Sequence, residues 1–118
     1  MNLESLRRFL LGLPHATVRK QWGETLLFKI AEIRMFAVCS LDGATLGQIA
    51  LKARPQEFDA LVQRSGIVPA PNMQRAKWIA IKDSLAMKDE ELRERLRVSY
   101  ELNLAKLTKK ERASLGKA

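Results

Sequence analysis

The residues with the clearest chemistry in this chain are cations and aromatic rings set at alternating positions. Lys29, Arg34, Lys52 and Lys82, with Trp78 among them, all fall in segments where apolar and polar residues alternate. Alternation of that kind sends neighbours to opposite faces of a strand and gathers every second residue on one face. Ammonium and guanidinium groups on such a face hold phosphates, and an indole ring offers a plane on which a base can stack. The set describes a nucleic-acid-binding surface rather than a catalytic centre. Its plainer reading is that the aromatics pack beneath a loop while the lysines keep the sheet in solution.

Signatures of catalysis and metal binding are missing from the sequence. The one histidine, His15, stands beside Pro14 with no metal-ligand spacing around it, which suits a structural or surface role. The one cysteine, Cys39, lies in an apolar run and reads as a small buried hydrophobe; no internal disulfide can form, so a reducing, cytoplasmic compartment is expected. Neither a Walker loop nor a G-x-G-x-x-G, G-x-S-x-G, C-x-x-C or H-x-x-x-H pattern occurs. Asp89-Glu90-Glu91 suits a helix start better than a metal, and Asp42-Gly43 suits a hairpin better than a calcium loop. The expectation is a protein without enzymatic activity and without a cofactor.

Charge points to the partner. Lys and Arg number 21 against 13 Asp and Glu, a net charge of +8 in 118 residues. That surplus makes DNA or another polyanion a fitting partner. No stretch approaches the roughly 20 apolar residues that span a bilayer, so no membrane association is expected. The alternative is a protein-interaction or chaperone-like module working through the same sheet face. Salt separates the two, since phosphate binding weakens steeply with salt and an apolar interface does not. Iron handling fits poorly, because the first helix carries one acid, Glu4, and two arginines.

These residues need elements to position them. The core of the chain is three successive strands, TLLFKI, IRMFAVCSL and TLGQIALK, the last two joined through Asp42-Gly43 in a loop of roughly three to five residues. The middle strand is apolar on both faces and belongs in the interior of a sheet. Periodicity predicts helices near 2–12, 55–65 and 89–107, and strands near 16–21, 25–31, 33–41, 45–53 and 77–82. TVRKQW, ending at Trp22, reads as an edge strand. IVPAPNMQR reads as a loop. Tyr100, with Leu96 and Asn103 on the inward stripe of the last helix, should be buried with its hydroxyl satisfied. The class is α+β: a two-layer sandwich with an antiparallel sheet of about five strands and helices on one face. Residues 1–107 form a single domain, and 108–118 make a basic tail expected to fray. If the helices cover Phe28, Met35, Ile49, Leu51, Ile79 and Ile81, the open face carries Lys29, Arg34, Lys52 and Lys82 with Leu27, Phe36 and Trp78.

FKIAEIRMFAV, LKARP, GIVPAPNMQRAKWIAI and SYELNLAKLTKK, in that order from about Trp22 to Lys110, resemble the YjbR/MmcQ-like family of small bacterial proteins. The resemblance implies a fold similar to CyaY, the bacterial frataxin, and a DNA-binding role through a double-wing motif. Matching positions are Phe28, Lys29, Arg34, Phe36, Ala37, Lys52, Pro69, Trp78, Ser99 and Tyr100, of which Lys29, Arg34, Lys52 and Trp78 are the implied functional ones. Two positions depart from the family pattern: Ile33 stands where a glycine is usual, and Asn72 where a histidine is usual.

Overall fold

The computed structural model describes residues 1–21, 23–43 and 45–115. Trp22, expected to close the first strand segment, and residues 116–118 of the expected tail lie outside the described residues. Helix α1 (Leu3–Leu11) starts where Asn2 Oδ1 accepts the Ser5 amide at 2.8 Å, and it turns Leu6 and Leu10 into the core. Strands β1 (Ala16–Gln21), β2 (Thr25–Ile30), β3 (Arg34–Asp42) and β4 (Thr45–Lys52) follow. Helix α2 (Pro55–Val62) opens on proline, whose missing N–H has no helical partner to lose, and it buries Phe58 and Leu61. Strands β5 (Ile67–Pro69) and β6 (Trp78–Ile81) precede helix α3 (Asp89–Leu104), which has three acids in its first turn as the helix dipole favours. Helix α4 (Lys109–Leu115) ends the described chain.

All six strands form one antiparallel sheet in the order β1-β2-β3-β4-β6-β5. β3 is interior and β1 is an edge, as alternation indicates. The sixth strand, β5, was not expected. Its three residues pair with β6 as Ile67↔Ile81, Val68↔Ala80 and Pro69↔Ile79, at the free edge where a proline is tolerated. α1, α2 and α3 pack on one face, over Leu26, Phe28, Ile30, Ala37, Cys39, Ile49, Leu51, Ile79 and Ile81. The result is a two-layer α+β fold. The β3–β4 hairpin is tighter than expected, with Asp42 paired to Thr45 and Gly43 at φ 64° between them.

Two segments differ from expectation for local physical reasons. α4 replaces the first part of a frayed tail because Thr108-Lys-Lys-Glu111 is a capping box: Thr108 Oγ1 accepts the Glu111 amide at 3.1 Å and Glu111 Oε1 accepts the Thr108 amide at 2.9 Å. In β3, a bulge reverses the phase. Phe28 pairs with Ala37 but Lys29 pairs with Met35, so Phe36 is an extra residue. Phe36 therefore turns to the helices, completely buried, with its ring edge-on to Phe28 at 6.5 Å and to Tyr100 at 5.2 Å. Met35 goes to the other face, against the Ala70, Trp78 and Ala80 cluster. The expected places of Met35, Phe36 and Arg34 are thus exchanged between faces. Tyr100 is buried as expected, and its hydroxyl donates to the Pro14 carbonyl at 2.6 Å.

Candidate functional site

One end of the sheet collects the start of β1, the turn from β2 into β3, the end of β4, the start of β6 and the C-terminal turns of α3. There the β3–β4 ladder stops at the Ala37–Leu51 pair. Beyond it a side chain joins the strands: the Ser99 hydroxyl of α3 donates to the Phe36 carbonyl at 2.7 Å and accepts the Lys52 amide at 2.9 Å. One helical turn on, Asn103 is almost completely buried. Its Nδ2 donates to the Ser99 carbonyl at 2.8 Å, and its Oδ1 accepts Arg34 Nε at 3.0 Å. A buried polar residue with both ends satisfied holds its partner in a fixed orientation. Here that partner is the Arg34 guanidinium, whose terminal nitrogens stay available.

Lys52 lies beside this network, only 9% exposed, with its ammonium donating to the Ala76 carbonyl. Burial, and then the positive charges of Lys106 and Arg34, hold its pKa below the ordinary lysine range. Three cations are tied to the same turns of α3: Arg34 donates to Asn103 Oδ1, the Lys106 amide to the Asn103 carbonyl, and the Lys52 amide to Ser99 Oγ. Among the described residues none of the three forms an ion pair with a carboxylate, whereas Arg8, Arg19, Arg54, Arg64, Arg95 and Arg97 all do. Glu101, the nearest acid along α3, is exposed and lies two residues from both Ser99 and Asn103, off their face.

The backbone at this end is under unusual constraint. Among the described non-glycine residues, positive φ occurs at His15, Ala31, Glu32, Asn72 and Lys77, between 49° and 65°. All five lie in the loops that border this end, and such conformations gather at functional sites. Ile33 is not one of them, so the turn takes its left-handed residues at Ala31 and Glu32 and needs no glycine at 33. The segment from Ala70 to Lys77 folds back on β6, with the Ala70 amide donating to the Trp78 carbonyl at 3.0 Å and the Trp78 amide donating to the Met73 carbonyl at 3.2 Å.

That fold-back changes the expected platform. Trp78 pairs with Lys52 on the sheet face that carries no helix, but its ring is 4% exposed, packed among Ala70, Met73 and Ala80. It is not a free stacking surface in this conformation. Arg34 belongs to the helix face, because the bulge at Phe36 reversed its side. Lys29 stays on the open face, half-buried beside Met35. Lys82 lies four residues beyond Trp78, about 13 Å along an extended chain. It borders a cleft with Asp42 and Asp83 at the opposite end of the sheet. Lys52 and Trp78 are thus paired on the open face, Arg34 lies on the helix side and is linked to the Lys52 backbone through Asn103 and Ser99, Lys29 stays on the open face, and Lys82 is apart. Lys106, Asn103 and Ser99 complete the group. Asn103 carried a readable signal, an amide on an otherwise apolar helical stripe, while Lys106 carried none.

Among the described residues no group of three or more His, Cys, Asp or Glu side chains converges. No described helix is long and apolar enough to cross a membrane. Cys39 is buried, and burial pushes its thiol up to about 12, where it is unreactive.

Relatives of this chain agree with its architecture. The YjbR family model matches residues 11–102, and the chain belongs to that family. A solved structure of the Deinococcus radiodurans protein DR2400, with the family-model domain DUF419, is 30% identical and superposes with a TM-score of 0.82 over 97% of this chain and 87% of its own. A protein from Pseudomonas syringae, 18% identical, shares the fold with a TM-score of 0.71 over 87% of this chain and 99% of its own. None of the curated proteins matches.

Proposed function

For this member of the YjbR family we propose a non-enzymatic, nucleic-acid-binding role, with nucleic-acid phosphate held at the basic end of the sheet. The observation that carries the reading is the meeting of Arg34, Lys52 and Lys106 without a carboxylate partner among the described residues. Other cations, Lys29, Arg75 and Lys82 among them, also lack an ion pair among the described residues; what sets these three apart is their placement around the Ser99–Asn103 network, where their charge is available to a ligand. The net charge of +8 adds a long-range attraction for polyanions. A CyaY-like description of the fold and a double-wing mode of DNA binding belong to this reading. So does a cytoplasmic location, where a single unreactive cysteine is at home.

The test is fluorescence anisotropy with labelled duplex and single-stranded oligonucleotides over a range of salt. Each phosphate neutralised adds about −0.9 to the slope of log K against log salt for a duplex and about −0.7 for a single strand, so affinity should fall steeply with salt. Absence of binding at low salt would overturn the proposal. A second reading has its own observation. Met35, Val38 and Ala50 form a half-buried apolar strip on the sheet face that no helix covers. A protein or chaperone client bound there would hold on through the salt series.

A further inference from the structure

Within the nucleic-acid reading, on which this inference rests, we propose that Arg34, Lys52 and Lys106 form a site for a terminal phosphate, a phosphomonoester, rather than for the internal diesters of the backbone. The geometry separates the two. Lys52 is nine-tenths buried with its ammonium on the Ala76 carbonyl, whereas Arg34 is half-buried and Lys106 exposed. An internal phosphodiester carries a sugar on either side, and that bulk keeps its oxygens away from a recessed ammonium. A terminal phosphate projects from the chain end with three free oxygens.

Charge agrees with shape. A phosphomonoester carries about −1.5 to −2 at neutral pH, against −1 for a diester, and three cations match the larger charge. Arg34 is prepared for it. Nε is committed to Asn103, and Asn103 is itself held by the Ser99 carbonyl, so the guanidinium presents its terminal nitrogens as a fixed fork. Lys52 has one partner to exchange, the Ala76 carbonyl. An incoming phosphate oxygen is a stronger acceptor for an ammonium than that neutral carbonyl. Opposing terms are small: the C-terminal carbonyls of α3 carry partial negative charge, but Arg112 donates to the Leu104 carbonyl at 3.0 Å and offsets it. Of the acids in the bordering loops, Glu32 is engaged by Arg19 and Glu111 by the Thr108 amide.

Freeing the Ala76 carbonyl has a consequence for Trp78, which lies beneath the same 70–77 segment. Phosphate entry loosens the hold of that segment over the indole, so a change in the emission of Trp78 should accompany binding. A Trp22→Phe background leaves Trp78 as the only tryptophan of the two.

The experiment compares one short single strand in three forms: 5′-phosphorylated, 3′-phosphorylated and unphosphorylated, at constant ionic strength. Nucleoside monophosphate and inorganic phosphate serve as competitors. A phosphorylated end should bind about tenfold or more tightly than the hydroxyl end, the gain expected of charge-assisted hydrogen bonds. Arg34→Lys, which keeps charge and loses the fork, should reduce that preference while preserving salt-dependent binding. Lys106→Gln, an exposed change that leaves the fold intact, should weaken it as well. Equal binding of all three strands overturns the terminal-phosphate site and leaves nucleic-acid binding in place. Failure of every strand, with nucleoside monophosphate binding and losing affinity in Arg34→Lys, overturns the nucleic-acid reading and assigns the site to a small phosphorylated ligand. Failure of all ligands overturns both.

Discussion

Ser99 is the residue on which the local geometry of the site depends. It replaces a missing rung between β3 and β4 with two hydrogen bonds, one donated and one accepted. Ser99→Ala removes both and leaves the Phe36 carbonyl and the Lys52 amide buried without partners. At roughly 1–3 kcal/mol for each of the two orphaned groups, the loss should be on the order of 2–6 kcal/mol. Urea denaturation reads it directly, and an unchanged midpoint would show that water fills the gap. Tyr100 divides into two contributions. Tyr100→Phe deletes only the bond to the Pro14 carbonyl and should lose about 1 kcal/mol. Tyr100→Ala also empties the space against Phe36 and should lose about 3–5 kcal/mol. If both variants lose the same amount, the ring contributes nothing beyond its hydroxyl.

At the scale of elements, α2 and α3 are tied by interlocked ion pairs. Glu57 meets Arg95 at 2.9 Å and Arg54 at 3.1 Å, and Glu91 receives Arg64 at 2.8 Å through two nitrogens. The hydrogen bond from Arg95 holds the Glu57 carboxyl below the usual range, and that from Arg64 does the same for Glu91. A lowered folded-state pKa means stability that is present above the ordinary glutamate value and lost as pH falls through the lower folded values. Thermal melts taken downward from neutral pH should show an acid limb that flattens in Glu57→Gln/Glu91→Gln. An acid limb of unchanged steepness would place the titrating groups elsewhere. The elements themselves were largely readable, because alternation and helical spacing are local. Their phase was less so. Met35 and Phe36 are both apolar, so nothing in composition marks the extra residue that sends Phe36 inward and Met35 outward. Ile67–Pro69 is too short to show a period. The α4 capping box was present in Thr108 and Glu111 but hidden by the basic residues around it.

At the scale of the whole molecule, both ends of the sheet carry mixed charge in different groupings. The end where β4 stops and β6 starts carries Arg34, Lys52, Lys106, Arg75 and Lys77, with Glu32. The other end carries Glu24, Asp42, Asp83 and Asp89, with Lys82 and Lys88. Part of the site was legible in the sequence and part was not. Lys52 and Trp78 face each other across neighbouring strands, and alternation can say so. Arg34 meets Lys52 only because α3 crosses β3 and β4 and presents Asn103 and Ser99 between them. Lys106 joins them through the same packing, from a polar stretch without periodicity, while Lys82 shares the pattern of Lys52 and lies at the opposite end of the sheet. Where nucleic acid docks is therefore the central claim, and amide chemical-shift mapping tests it most directly. On addition of a short oligonucleotide, shifts should concentrate at Ala31–Arg34, Lys52–Ala53, Asn72–Lys77 and Asn103–Lys106. Shifts confined to Val38, Ala50 and Ala80 on the open face, or to the end bearing Asp42 and Asp83, would contradict it.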